Sequence, residues 1–285
     1  MVRGQRNDQD AETIGIRRLG GRVGHGRVGV GFADEAAPVP EIRPGVLKGY
    51  LPKEALPDSA GLLPPPPAIG SAAAALDQDL ARASLMLSNT ARWKLATVDA
   101  DLTFPYAAGA FSCALGAPIT EQDTPRLYVM LRRVLTDAGY ATFAAKDKYQ
   151  HARPFMLDGQ PICTPDKEKG LREQGSYPSG HTSAGWAWAL VLAEAAPDQG
   201  EAILARGLAF GQSRLVCNVH WESDVVEGRT IGAATVARLH AEPAFIADLE
   251  AAKAEIAAVR AKQLPPQRDC KFEAEALAQT IPDAP

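Results

Sequence analysis

The chain has 285 residues with a net charge of −4; hydrophobic residues make up 46% of it and charged residues 22%. This length suffices for one large domain or two small ones, and the composition is that of a globular protein. The weakly acidic balance gives no sign of a nucleic-acid or anionic-membrane surface, and abundant alanine with only 6% aromatic residues favours an α-helical chain.

The first part of the chain contains two segments without helical periodicity. Residues 1–40 are rich in glycine and arginine, and we expect them to be disordered. They lack the apolar core of about 7–15 residues that a secretory signal peptide needs. Residues 41–69 are rich in proline, with four consecutive prolines ending at Pro67. We expect this segment to be an ordered, extended strap on the surface, without a regular element.

From Ala72 onward, the hydrophobic spacing predicts a series of helices and no clear strand. The expected ranges are 72–89, 90–102, 104–115, 125–138, 141–152, 180–196, 198–215, 222–240, 243–262 and 272–279. Residues 155–177 are predicted to be a long loop at the rim of a pocket. The longest apolar run, Ala184–Ala193, is far shorter than the ~20 residues of a membrane span. We therefore expect one all-α domain over residues 41–263, followed by a tail over residues 264–285.

The octet GSYPSGHT, from Gly175 to Thr182, predicts the start of a buried helix that can hold an anion. Pro178 disfavours a helix running into this point, Ser179 is a good N-cap, and Gly180 lets a backbone N–H approach a ligand closely. A helix N-terminus offers unpaired N–H groups and a partial positive charge, which suit phosphate. Taken alone, the same residues also fit an ordinary turn and cap.

Three cations flank this octet at fixed spacings. Lys146 is followed after six residues by Arg153, and Arg214 lies downstream of the apolar helix. Cations can neutralise the non-bridging oxygens of a phosphate ester, which otherwise repel a nucleophile. Arginine binds phosphate in fork geometry and lysine adds a point charge. Each cation alone would fit a surface salt bridge, whereas the ordered set favours a phosphate site.

His220 and Asp224 follow Arg214 and are four residues apart. Within one helical turn both would face the same side. A carboxylate that accepts from Nδ1–H fixes the histidine tautomer and leaves Nε2 free to attack phosphorus. The same spacing would also fit a metal-binding pair or an incidental contact at a helix start.

In this order, Lys-x6-Arg-Pro, Pro-Ser-Gly-His and Ser-Arg-x5-His-x3-Asp resemble the signature of the type 2 phosphatidic acid phosphatase superfamily, which includes the vanadium haloperoxidases. GSYPSGHT and GQSRLVCNVHWESDV are similar to one branch, the class A bacterial non-specific acid phosphatases. The resemblance covers residues 49–261. It implies a metal-independent phosphatase without a cofactor, acting on small phosphate monoesters and transferring phosphate to other hydroxyls. It also implies a homo-oligomer of two or more copies and a periplasmic or secreted location.

The resemblance further implies a role for each motif residue. His220 would become a phosphohistidine, Asp224 would orient it, and His181 would protonate the leaving oxygen and later help to activate water. His151 matches no motif position, and we place it at the rim of the pocket. The residues expected to bind the phosphate are Lys146, Arg153, Ser179, Gly180 and Arg214.

Four cysteines without a CxxC pair disfavour a zinc site and allow three disulfide pairings. Because Cys163 and Cys217 both flank the central motifs, we favour their pairing, which leaves Cys113 with Cys270. Buried free thiols would fit the composition nearly as well.

Two rival functions are compatible with part of the pattern. A vanadium-dependent haloperoxidase would hold vanadate with the same cations and oxidise bromide with peroxide. A catalytically inactive binding module would keep the fold alone, although all eight motif positions are filled. The octet and the modest length favour the phosphatase, while the physiological substrate and the pH optimum stay open.

Overall fold

The computed structural model describes residues 38–282, so the disorder predicted for residues 1–40 falls almost entirely outside the described residues. The described chain is built from α-helices, which confirms the all-α prediction. The helices are α1 (Ser59–Leu62), α2 (Ala72–Leu85), α3 (Ala91–Asp99), α4 (Ser112–Leu115), α5 (Pro125–Tyr140), α6 (Phe143–Tyr149), α7 (Pro154–Asp158), α8 (Glu168–Arg172), α9 (Gly180–Ala195), α10 (Gly200–Val216), α11 (Glu222–Leu239), α12 (Pro243–Ala261) and α13 (Cys270–Leu277).

Helix α9 is the centre of the bundle and packs against α5, α10, α11 and α12. Its residues are apolar on nearly every side because neighbouring helices surround it. Trp188 is 1% exposed, and its indole N–H donates to the carbonyl of Leu131 at 2.8 Å. At Gly185 a Cβ atom would lie 2.2 Å from the ring of Phe210, so the glycine permits the close approach of α10. Within residues 38–282, no helix is both long and apolar enough to cross a bilayer.

The proline-rich strap contains more regular structure than its sequence predicted. Strands β1 (Glu41–Arg43) and β2 (Val46–Leu47) form an antiparallel hairpin, and Gly45 takes the positive φ of 78° that its turn requires. The expectation of no strand is therefore wrong here, because three and two residues are too short for an alternating pattern to be recognised. A 3₁₀ turn at Lys53–Ala55 and the single-turn α1 follow.

The strap is anchored to the bundle by two buried carboxylates. Asp137 on α5 accepts the backbone N–H groups of Tyr50 at 2.8 Å and Leu51 at 3.3 Å. The Tyr50 hydroxyl donates to Asp248 on α12 at 2.7 Å. Burial raises the pKa of Asp137 to about 6. These contacts fix the hairpin beside the C-terminal half of α5, where the cavity described below opens.

Tertiary contacts shift other predicted elements. The helix expected over 141–152 is the shorter α6, because the chain turns at Gln150 with φ 46° and the carbonyl of His151 accepts the N–H of Ser176 at 2.8 Å. The loop expected over 155–177 contains α7, α8 and a 3₁₀ turn at Pro165–Lys167, and α7 starts with proline at its first position. The helix expected over 104–115 is a 3₁₀ segment followed by α4.

Candidate active site

The N-terminus of α9 forms the floor of the site. Ser179 caps the helix: its hydroxyl accepts the N–H of Thr182 at 3.2 Å, and its own N–H donates to the carbonyl of Asp224 at 2.9 Å. A Cβ atom at Gly228 would lie 2.7 Å from the carbonyl oxygen of Ser179, so only glycine lets α11 come this close. The first turns of α9 and α11 are thereby locked together, with Gly180 as the first residue of α9.

The three predicted cations converge on this helix start from different elements. Lys146 comes from α6, Arg153 precedes α7, and Arg214 lies in the last turn of α10. Their relative exposures are only 7%, 2% and 2%. Burial lowers the pKa of Lys146 to about 7, that of Arg153 to about 10 and that of Arg214 to about 9. The mutual repulsion of these cations adds to the effect for Lys146 and Arg214. A bound anion would offset both the burial of these positive charges and their mutual repulsion.

The cations differ in how they are held. The Lys146 ammonium donates to the carbonyls of Gly175 at 2.8 Å and Ser176 at 3.0 Å. Arg153 donates to the carbonyls of Leu171 and Val219, both at 2.9 Å. Nε and Nη1 of Arg214, by contrast, are buried without a hydrogen-bond partner among the described residues. Buried polar groups are nearly always paired, so this guanidinium is suited to an anionic ligand.

The geometry fixes the tautomer of His220. Its Nδ1 lies 3.1 Å from Oδ2 of Asp224, which as a carboxylate can only accept. The proton therefore sits on Nδ1, and Nε2 carries a lone pair that accepts from Nη1 of Arg153 at 3.1 Å. Burial first, and Arg153 second, hold the pKa of His220 well below its usual value. The imidazole is thus neutral, with Nε2 among the cations.

Asp224 is fully buried yet stays ionised. Burial alone would raise the pKa of this carboxyl, but hydrogen bonds from His151 and His220 and the N–H of Trp221 hold it well below its usual value. The Trp221 N–H donates to Oδ2 at 2.9 Å, which places Asp224 in the first turn of α11. The carboxylate is therefore held in place as the hydrogen-bond acceptor for Nδ1 of His220.

His181 lies in the first turn of α9. Its Nε2 lies 3.1 Å from the carbonyl oxygen of Ala100, so Nε2 must be the donor and Nδ1 is the nitrogen left for a ligand. Burial, followed by the charge of Arg214, holds the pKa of His181 well below its usual value. The side chain is therefore neutral.

A cavity of about 580 Å³ gives access to these groups. Lys146, Arg153, Gly180, His181, Arg214 and His220 all contribute to its walls. One rim is formed by residues 43–46 of the hairpin and the other by residues 164–174 around α8. Leu102, Phe104, Tyr140 and Phe143 give the entrance an apolar face. A small phosphate ester would enter between the strap and the segment that the sequence placed at the rim.

The comparisons with known proteins agree with this geometry. A model of the PAP2 superfamily matches residues 127–243. The chain is 44% identical to a non-specific acid phosphatase of Providencia stuartii over 74% of this chain and 86% of the relative. It is 42% identical to a non-specific acid phosphatase of Salmonella typhimurium over 73% and 83%, and 40% identical to an acid phosphatase of Zymomonas mobilis over 75% and 81%. The chain belongs to the class A non-specific acid phosphatases of the PAP2 superfamily.

Both disulfides of this class A phosphatase match the favoured pairing. Cys163 is bonded to Cys217 with a Cα–Cα distance of 4.7 Å, and Cys113 to Cys270 with one of 5.4 Å. The first bond ties the segment after α7 to the end of α10, three residues beyond Arg214. The second ties α4 to α13.

The structure brings all eight predicted site residues of this phosphatase together, but it places His151 differently. His151 is not among the residues that line the cavity; it lies behind Asp224, with Nδ1 3.3 Å from Oδ1 of that carboxylate. Sequence reasoning also missed Ser176, whose hydroxyl donates to the same Oδ1 at 3.2 Å. Its position inside the octet was the only signal for it, and His151 had none beyond its nearness to Arg153.

Proposed function

We propose that this site hydrolyses small phosphate monoesters without a metal, by transferring the phosphoryl group first to Nε2 of His220 and then to water. Membership of the class A family makes the chain a phosphoric monoester hydrolase, an acid phosphatase. The observation that carries the proposed mechanism is the Nε2 lone pair of His220, fixed by Asp224 on its other side and surrounded by three buried cations.

The phosphate would bind at the N-terminus of α9, between Lys146, Arg153 and Arg214. The unpaired Nε and Nη1 of Arg214 are suited to bind two phosphate oxygens in fork geometry. The Gly180 N–H and the Ser179 cap would complete the cradle. A bound phosphate would also compete for Nη1 of Arg153, which now donates to Nε2 of His220, and so release the nucleophile.

The reaction would proceed in two balanced steps. In the first, Nε2 of His220 forms a bond to phosphorus, the bond to the leaving oxygen breaks, and protonated His181 gives its proton to that oxygen. In the second, His181 takes a proton from water, the water oxygen bonds to phosphorus, and the bond to Nε2 breaks. Asp224 holds the Nδ1 proton throughout, which stabilises the cationic imidazole ring of the intermediate. The negative charge of the substrate would raise the pKa of His181 and so load it with the proton.

Rapid quenching tests this proposal. Mixing the enzyme with phosphorus-labelled p-nitrophenyl phosphate and stopping in alkaline detergent should preserve an N-linked phosphohistidine. We expect label on the wild type and none on His220→Ala. Label that survives in His220→Ala, or a wild type that turns over without any labelled protein, would refute the covalent mechanism.

Metal independence and vanadate inhibition belong to the same proposal. Because the cations of the protein neutralise the phosphate, EDTA should leave the activity intact and vanadate should inhibit by adopting the five-coordinate geometry of the transition state. Full loss in EDTA that zinc or magnesium restores would count against the cradle. A phosphoenzyme that accepts other hydroxyls would also transfer phosphate to added alcohols.

We further propose a periplasmic or secreted location and an assembly of two or more copies. The two disulfides support an oxidising compartment, because such bonds are rare in reducing ones. Cell fractionation tests the location, and sedimentation of the purified protein tests the assembly.

A further inference from the structure

The buried carboxylate of Asp224 receives hydrogen-bond donors from two directions. Oδ2 faces His220 Nδ1 at 3.1 Å and the N–H of Trp221 at 2.9 Å. Oδ1 faces His151 Nδ1 at 3.3 Å and the hydroxyl of Ser176 at 3.2 Å. A carboxylate offers about four lone-pair sites, so all of them are used. The donors to Oδ1 come from outside α11 and have no part in the mechanism so far.

We propose that His151 is a positioning residue for the catalytic histidine, which acts by holding Oδ1 of Asp224 together with Ser176. The inference rests on the proposed function, because it gives His151 an effect only through His220. With Oδ1 anchored, the carboxylate cannot rotate about its Cβ–Cγ bond, and Oδ2 stays in line with Nδ1 of His220. Without His151, a fully buried charge would lose one of its four donors.

His151 is itself held in the orientation that this role needs. Its carbonyl accepts the N–H of Ser176 at 2.8 Å, and Nδ1 lies 3.1 Å from the hydroxyl of Ser176. The ring stands between Tyr177 and Trp221, with centroid distances of 6.3 Å to each. Because both oxygens of Asp224 only accept, Nδ1 must carry the proton. The backbone pair and the two aromatic rings therefore aim this N–H at Oδ1.

The position of His151 separates its effect from substrate binding. It lies on the segment between Lys146 and Arg153, but the cavity is lined by those two cations and not by His151. A positioning role therefore predicts a lower kcat, because His220 is held less well, with an unchanged affinity for phosphate. A general collapse of the site would weaken phosphate binding as well.

The test compares His151→Ala, His151→Asn and Ser176→Ala with the wild type. An asparagine can place an amide N–H near the former Nδ1, whereas alanine removes the donor. We expect His151→Ala to lower kcat for p-nitrophenyl phosphate about ten- to hundredfold, as for the loss of one hydrogen bond to a charged group. His151→Asn should recover most of kcat. The inhibition constant of inorganic phosphate should stay within about twofold in all three variants.

His240→Ala is the matched control. His240 caps the other end of α11, bonds to Glu194 at 2.9 Å, and should leave kcat unchanged when truncated. Ser176→Ala keeps His151 but removes the other donor to Oδ1 of Asp224. It therefore replaces His151→Ala if that variant fails to fold, and a lower kcat would support the positioning of His220 through Oδ1.

Three outcomes would overturn the inference: an unchanged kcat in His151→Ala or Ser176→Ala, an equal loss in His151→Ala and His151→Asn, or a phosphate inhibition constant that rises in proportion to the loss of kcat. An absent phosphoenzyme in the wild type would instead refute the proposed function, so the two failures are distinguishable.

Discussion

Two arginines on α10, Arg206 and Arg214, show how the same residue type serves structure in one place and binding in another. Both are buried, with 2% exposure. Arg206 lies 2.5 Å from Asp99 and 3.3 Å from Glu273, whereas Arg214 has no salt bridge to any residue in the described range 38–282. Burial alone would lower the pKa of both. Asp99 and Glu273 raise the pKa of Arg206 above its usual value, but that of Arg214 falls to about 9.

The difference indicates that Arg214, which has neither an ion pair nor a hydrogen bond at Nε and Nη1 within residues 38–282, is the arginine suited to a ligand. Arg206 forms ion pairs with the carboxylates of Asp99 and Glu273, and Asp99 also accepts from the hydroxyl of Ser213 at 2.7 Å. Arg214 has no such ion pair within residues 38–282, and the carboxylate of the candidate site, Asp224, already accepts from two histidines, Ser176 and a backbone N–H. A bound phosphate would give Arg214 the ion pair that Arg206 already has.

The largest expected effect comes from truncating each arginine in turn. Arg214→Met should lower kcat/KM by about 10³–10⁵-fold, the worth of a guanidinium in phosphoryl transfer. It should not destabilise the fold, because it removes an unpaired buried charge. Arg206→Met should instead cost about 3–5 kcal/mol of unfolding free energy, since it leaves buried Glu273 without its ion pair and Asp99 with Arg268 alone. Steady-state kinetics and urea unfolding measure the two effects.

The proposed difference between the two arginines would be refuted if their variants behaved alike. Equal losses of stability would mean that Arg214 is a structural residue. A kcat/KM in Arg206→Met, corrected for the folded fraction, that falls as far as that of Arg214→Met would mean that the two clusters act as one.

A substitution of His181 tests the catalytic role of the site around Arg214. If it is the general acid, His181→Ala should slow hydrolysis of an alkyl phosphate about 10²–10⁴-fold and that of p-nitrophenyl phosphate much less, since a nitrophenolate leaves without a proton. The ratio of kcat/KM for the two substrates is the readout. Equal losses would favour a purely electrostatic role for His181 beside Arg214.

The lowered pKa of Lys146 predicts a smaller effect, which depends on pH. The pKa of Lys146 is about 7 in the folded protein, which is below its value in the unfolded chain. Between these two pKa values the unfolded chain binds more protons, so the free energy of unfolding increases as the pH rises. Anion binding requires the charged form, so the affinity for sulfate should fall about tenfold per pH unit above about pH 7. In Lys146→Arg the charge persists, and the slope of the sulfate inhibition constant against pH should flatten. Parallel slopes in both proteins would contradict this assignment.

The family resemblance of the motifs predicted eight site residues, which the structure brings together around the start of α9, and helical spacing with the resemblance predicted the all-α fold. The motifs selected Arg214 but gave no role to Arg206, since its partners Asp99 and Glu273 come from α3 and α13, far away in the chain. The role of His151 was also invisible, because Gln150 ends α6 early and the backbone pair with Ser176 turns His151 behind Asp224. Such tertiary contacts leave no periodic signal.

The two disulfides give the smallest expected effects; one lies near Arg206 and the other near Arg214. Replacing Cys113 and Cys270 by alanine should cost about 2–4 kcal/mol and leave kcat unchanged, because this bond supports α13 beside Arg206. Replacing Cys163 and Cys217 should cost a similar amount and also lower kcat by about threefold to tenfold, because Arg214 lies three residues before Cys217. An activity loss confined to the first pair would reverse the assignment.

The most direct test of the central claim is a crystal structure of the protein with tungstate, an inert mimic of phosphate. The account predicts one oxyanion at the N-terminus of α9, within hydrogen-bond distance of Nε and Nη1 of Arg214 and with its metal atom facing Nε2 of His220. An oxyanion bound beside Arg206 instead, or a cavity at α9 that stays empty at saturating tungstate, would contradict it.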